Sequence, residues 1–157
     1  MRRLKDEKGA SAVEFALVAS LLFLILFGII QFGIAYNRVQ GLNSAGREGA
    51  RAASIGAPVG QVVTRVQKAQ SLFATADVKV SIDYSTDNGG SWNIVCTNVT
   101  CTAASTASSC PAGCIPGALI RVSANVAKSQ QYAITIPLWS NWQIAYSGVG
   151  TFRVEKV

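Results

Sequence analysis

Phe15 to Ile30 reads FALVASLLFLILFGII and contains no charged residue. Gln31 interrupts it, and Phe32, Gly33, Ile34, Ala35 and Tyr36 then extend it. At about 1.5 Å per residue, a helix from Phe15 to Tyr36 reaches roughly 33 Å, enough to cross a hydrocarbon core of about 30 Å. The rest of the chain is placed by what flanks this run. Arg2, Arg3, Lys5 and Lys8 stand before it, while Arg38 is the nearest cation after it. The excess of basic residues on the N-terminal side predicts a cytoplasmic N-terminus and an extracytoplasmic remainder.

The composition agrees with a membrane role. Of 157 residues, 50% are hydrophobic and 14% charged, against about 25% charged in an ordinary soluble domain. The net charge is +6. Four of the basic residues belong to the N-terminal flank and the others are scattered, with no basic patch interleaved with aromatics, so no nucleic-acid partner is expected. The apolar run is long for a cleavable signal peptide, and no small-residue cleavage site follows it.

Past the span, Tyr36 to Ile55 has no proline and several alanines, so one helix is predicted from Ala10 to about Ile55, roughly 69 Å long. Gly56-Ala57-Pro58 is its stop signal. Val59 to Phe73 is a second, amphipathic helix, with Val59, Val62, Val63, Val66, Ala69, Leu72 and Phe73 on one face. Val78 to Tyr84 alternates apolar and polar residues as a half-buried strand does, and Asp87-Asn88-Gly89-Gly90 reads as a hairpin turn rather than a calcium loop. Further strands are expected at Trp92–Val99, Ala118–Ala127, Tyr132–Leu138, and finally Ile144–Tyr146 with Gly150–Val157. The fold class is therefore α+β: a long N-terminal helix, then one helix on an antiparallel sheet.

Cys96, Cys101, Cys110 and Cys114 fall within the predicted extracytoplasmic part. In an oxidising compartment they read as two disulfides stapling the Thr100–Gly117 loop, with three pairings open. A zinc site is disfavoured, since the chain has no histidine. The missing histidine also removes the common catalytic triads. No enzyme activity, cofactor or metal is expected. Trp92, Trp139 and Trp142 read as core or interface anchors before a sugar platform.

Glu14 is the anomaly. A carboxylate at the start of an apolar span is costly and by default marks function. Its setting, Gly9-Ala10-Ser11-Ala12-Val13-Glu14-Phe15 after a short basic leader, resembles the processing site of type IV pilin-like precursors. More specifically, GASAVEFALV…LLFLILFGIIQFG…Y…AGREGARAAS, from Gly9 to Ala53, is similar to TadE-like proteins, the minor pseudopilins of tight-adherence pili, as is the ending Thr151-Phe152-Arg153-Val154-Glu155. The Cys-rich insert departs from that pattern.

The resemblance implies cutting by a prepilin peptidase between Gly9 and Ala10. It also implies assembly through Glu14, which would pair with the new α-amino group of an adjacent subunit, next to the aromatic Phe15. The implied partners are that peptidase, other pilin or pseudopilin subunits, an inner-membrane assembly platform and the lipid bilayer. The expected organisation is a leader at 1–9, a transmembrane helix at 10–36, its extension at 37–56 and an α+β domain at 57–157, in the periplasm, at the cell surface or within a pilus. The alternative is a membrane-anchored binding domain on an uncleaved signal anchor. Gly41, Ala45, Gly49 and Ala53, spaced by four, form a ridge of small residues. It suits close approach by another helix, or by the chain's own β domain.

Overall fold

The computed structural model describes residues 4–111, 114–126, 132–134 and 142–155. Two compact units emerge, Met1–Tyr36 and Asn37–Val157. One helix, α1 (Leu4–Ser54), contributes to both. It starts six residues before the expected Ala10, since Leu4, Lys5, Glu7 and Lys8 are good helix formers. In the first unit the large apolar side chains point outward: Phe15, Leu17, Leu22, Phe27, Ile29 and Phe32 are each more than half exposed.

Helix α1 ends where the sequence says it should. Gly56 takes φ +80°, its N–H bonds the Ala53 carbonyl and the Ala57 N–H bonds the Ala52 carbonyl, a Schellman ending that a glycine adopts without strain. Pro58 then precedes α2 (Val59–Ala69), which buries Val59, Val62, Val63 and Val66. The helix stops four residues short of the expected Phe73. The reason is Gln70, whose buried side chain donates to the carbonyls of Gln67 and Phe73 and accepts from the Phe73 N–H. That side chain closes a turn in place of another helical one, and Leu72 is left largely exposed.

The sheet has the order β2-β1-β3-β6, all antiparallel, from β1 (Val78–Ser85), β2 (Asn93–Cys96), β3 (Leu119–Val126) and β6 (Ser147–Arg153). A separate two-stranded pair, β4 (Tyr132–Ile134) with β5 (Trp142–Ile144), leaves the sheet after β3 and returns to it at β6. The expected antiparallel sheet is present with four strands, and the strands at 132–134 and 142–144 form the separate pair. The expected stretches 135–138 and 156–157, and Trp139, lie outside the described residues. The last strand runs 147–153 as one piece, taking in Ser147, Gly148 and Val149, where the sequence reading leaves a break between Tyr146 and Gly150.

The helical layer covers one face of the sheet. Val78, Val80 and Ile82 of β1 and Ile120, Val122, Ala124 and Val126 of β3 alternate inward and are almost fully buried, together with Leu42, Ala45, Ala50, Ala52 and Ala53 of α1. On the other face, Arg121 donates through Nε (3.2 Å) and Nη2 (2.9 Å) to Asp83, and its guanidinium lies 4.1 Å from the centroid of the Trp92 ring. The pairing and stacking together hold a nearly buried carboxylate on that face.

The turn after β1 is built around Asp87. Asn88 and Gly89 both have positive φ, 58° and 99°, and form the centre of a primed turn, closed by the Gly90 N–H on the Asp87 carbonyl, within the longer loop between β1 and β2. The Asp87 carboxylate accepts from the hydroxyls of Ser85 and Ser91 and from the Ser91 N–H, which hold its carboxyl well below the usual carboxylate range.

Candidate functional sites

Three places carry residues singled out by the sequence. The first is the opening of the apolar helix. Gly9, Ala10, Glu14 and Phe15 all lie within α1, in the first unit, and all are exposed. Ala10 and Glu14, one turn apart, share a helix face about 6 Å from each other along the axis. A Cβ added to Gly9 would meet nothing within 4 Å, so the backbone there is open to an approaching protein. The helix is long and apolar enough to cross a membrane, and its apolar stretch is not buried against the rest of the protein. An apolar surface this continuous needs a nonaqueous partner. Within the span, Ser20 satisfies its own hydroxyl on the Leu17 carbonyl at 2.8 Å, which makes that polar group compatible with lipid.

The second is the small-residue ridge. Ala45 and Ala53 are fully buried, Gly49 sits among the side chains of Val62, Val66 and Val122, and Gly41 faces the tip of Leu72. The ridge is filled by the chain's own domain. A second set of glycines, unread in the sequence, continues it. A Cβ on Gly148 would overlap the backbone of Leu42 and Asn43, and one on Gly150 the backbone of Gly46 and Arg47. Helix α1 therefore rests on β6 backbone to backbone. The available signal was the pair of glycines two apart in a strand, which puts both on one face and marks close approach.

The third is the stapled loop. The disulfides are Cys96–Cys101 and Cys110–Cys114, each with 5.2 Å between Cα atoms. Between them the loop grips the corner joining α1 to α2. Ser109, fully buried, donates its hydroxyl to the Ala57 carbonyl at 2.5 Å and lies 3.4 Å from that of Ala53. The N–H groups of Val59 and Gly60, which open α2 and have no partner within the helix, bond the carbonyls of Ala107 (2.8 Å) and Ser105 (2.9 Å). Gly60 is required there, because a Cβ would strike the Ala103 and Ser105 carbonyls. Beside this contact is an open cleft lined by Gln61, Thr64, Arg65, Lys68 and Ala103–Thr106. Arg65 is drawn toward Glu48 at 3.3 Å, an exposed pair of small energetic weight.

Asp83 is committed to Arg121 and Asp87 to its own turn, so neither carboxylate is aimed at a cation. Among the described residues no cluster of three or more metal-ligating side chains occurs. Trp92 has Arg121 over its ring, and Trp142 lies in β5.

Residues 9–51 match a family model described as a TadE-like protein. The match starts at Gly9, runs through the apolar helix and ends at Arg51, so this segment of the chain is similar to TadE-like proteins. No curated protein and no solved structure matches the chain.

Proposed function

We propose that this chain is a pseudopilin-like structural component of a tight-adherence pilus or related secretion system, processed after Gly9 and assembled through its N-terminal helix. The observation that carries the reading is the TadE-like match over 9–51, a segment that begins at the proposed cleavage glycine and contains an exposed apolar helix opened by Glu14.

The chemistry is that of an ion pair in a low dielectric. Cutting between Gly9 and Ala10 frees an α-amino group one helical turn from Glu14. In a bundle of parallel helices, the carboxylate of one subunit meets the amine of the next. Breaking such a pair leaves an uncompensated charge in lipid at a cost of several kcal/mol, so the pair fixes axial register between helices. The same cut removes Arg2, Arg3, Lys5 and Lys8, which hold the helix at the cytoplasmic face. The C-terminal domain, carried on the other side of the membrane with its disulfides, is the part presented to other subunits or to a surface.

Coexpression with a matching prepilin peptidase should shorten the chain by the nine residues through Gly9, read by intact mass, and Gly9→Ala should slow the cut. Glu14→Ala should abolish incorporation into the assembly while the C-terminal domain keeps its disulfides and its melting profile. An uncut leader in assembly-competent cells would leave a membrane-anchored binding domain as the better reading.

A further inference from the structure

The open cleft beside the α1–α2 corner has no part in the proposed function, yet its two walls are suited to one kind of ligand. One wall is α2, which presents Gln61, Arg65 and Lys68, all exposed. The other is the stretch from Ala103 to Thr106 of the stapled loop. The space between them is about 440 Å³, within the usual range of a binding site. Both charged groups that line it are positive, and no carboxylate lines it.

The loop wall is set before any ligand arrives. It is fixed at one end by Cys101, joined to Cys96, and at the other by Ser109 on the Ala57 carbonyl. Between these points the Ser105 carbonyl accepts from the Gly60 N–H, and the Ser105 N–H bonds the Thr102 carbonyl at 3.1 Å. The bare Cα of Gly60 lets Ala103 and Ser105 lie against the helix. A ligand therefore meets a wall that needs no ordering on binding.

The donors are available. Lys68, Gln61 and the Thr106 hydroxyl have no hydrogen-bond partner among the described residues. Arg65 is held only by its single 3.3 Å contact with Glu48, and that pair is open to solvent. Arg65 and Lys68 are three apart on one helix, which places their Cβ atoms about 5–6 Å from each other. In an extended peptide, residues two apart point the same way and lie about 6.6 Å apart. Two carboxylates with one residue between them can thus meet both cations at once. Gln61 and Thr106 are then left to donate to the peptide carbonyls. No aromatic ring lines the cleft, so a sugar has no face to stack on. No two acidic residues of this chain are separated by a single residue, so a second copy does not supply the motif.

We propose that this cleft binds an extended acidic segment of a partner protein, one that carries two carboxylates with one residue between them. The inference needs neither leader cleavage nor assembly through α1.

Full-length protein in zwitterionic detergent micelles is titrated into a rhodamine-labelled peptide, Gly-Ser-Asp-Gly-Asp-Ser-Gly, and binding is read by fluorescence anisotropy. The control peptide has Asn in place of both Asp. At about 50 mM salt, where exposed charges are weakly screened, the Asp peptide should bind about tenfold more tightly than the control. Arg65→Gln with Lys68→Gln should erase that difference. Arg47→Gln with Arg51→Gln makes the same change in charge on α1, outside the cleft, and should leave binding near wild type. All four side chains are exposed, so near-ultraviolet circular dichroism should be unchanged in both variants. Glu48→Gln releases Arg65 and should tighten the Asp peptide about twofold, which a merely structural role for Arg65 would not do.

Equal affinity for the two peptides would overturn the proposal. So would an equal loss in the Arg47/Arg51 and Arg65/Lys68 variants, since attraction would then follow net charge and not the cleft. Protein that retains polygalacturonate but not the Asp peptide would overturn it in favour of an anionic polysaccharide.

Discussion

Gly150→Ala should be, with Gly148→Ala, among the most damaging single methyls in the C-terminal domain. The added Cβ would fall inside the van der Waals envelope of the Gly46 carbonyl group and the Arg47 nitrogen, all backbone atoms of α1. Neither side can turn a side chain away. Ordinary Cβ contacts begin near 3.4 Å, so the helix must withdraw by about 1 Å from the strand. Overpacking of a core costs about 1–3 kcal/mol, and two rigid backbones put this case at the upper end, about 3 kcal/mol. The withdrawal also loosens Leu42 and Ala45, which are fully buried along the same seam and lose dispersion contacts as the gap opens. For a domain of this size, 3 kcal/mol lowers the melting temperature by about 12 °C.

Two controls separate steric overlap from glycine loss. Gly56→Ala meets nothing within 4 Å but holds φ +80°, so it should cost only about 1 kcal/mol of backbone strain. Gly41→Ala approaches the Leu72 Cδ1 at 3.4 Å, a flexible tip, and gains helix propensity, so it should be neutral or slightly stabilising. The assay is near-ultraviolet circular dichroism of the full chain in detergent micelles, which follows the tertiary packing of the aromatics and ignores the helix content of the span. If Gly150→Ala melts with Gly41→Ala, the helix does not rest on the strand as described.

Ser109→Ala should cost about 1–2 kcal/mol in the same assay, because it strips the only side-chain donor seen on the Ala57 carbonyl among the described residues. Retained stability would mean the loop does not hold the corner. Asp87 carries a pH signature. Its folded-state carboxyl is held below the unfolded value, so its contribution is complete above about pH 4 and disappears as pH falls further. The stability difference between wild type and Asp87→Asn should therefore be constant from about pH 7 to 5 and shrink below about pH 4. A difference that is the same at about pH 3 and 7 would show that the Ser85 and Ser91 hydrogen bonds do not favour the ionised form.

Most of the architecture was legible because it rests on strong local signals. The uninterrupted apolar run, the Gly56–Pro58 stop, the valines of α2 and the alternation of β1 and β3 each reflect a period or a backbone constraint that survives any tertiary context. The reading failed where a nonlocal contact decided the outcome. Helix α2 ends at Ala69 because one glutamine side chain replaces the next turn. Strand β6 begins at Ser147, ahead of the expected Gly150, and its Gly148 gives α1 bare backbone to lie on. The ridge at Gly41, Ala45, Gly49 and Ala53 was recognised as a packing surface, but pattern alone did not choose between a neighbouring helix and the chain's own sheet. Four cysteines likewise left the pairing open, and the near-neighbour connectivity follows only from where the loop lies.

The loop that clasps the α1–α2 corner has a temporal consequence. The corner is made early, around Ala57, while Ser109 lies 52 residues further along the chain. A polypeptide emerging from its N-terminus must therefore hold two helix ends open to water until that later segment arrives. Since the loop is mostly threonine, alanine and serine, its two covalent rings are what give it a shape with which to arrive. The corner therefore cannot close before Ser109 has arrived.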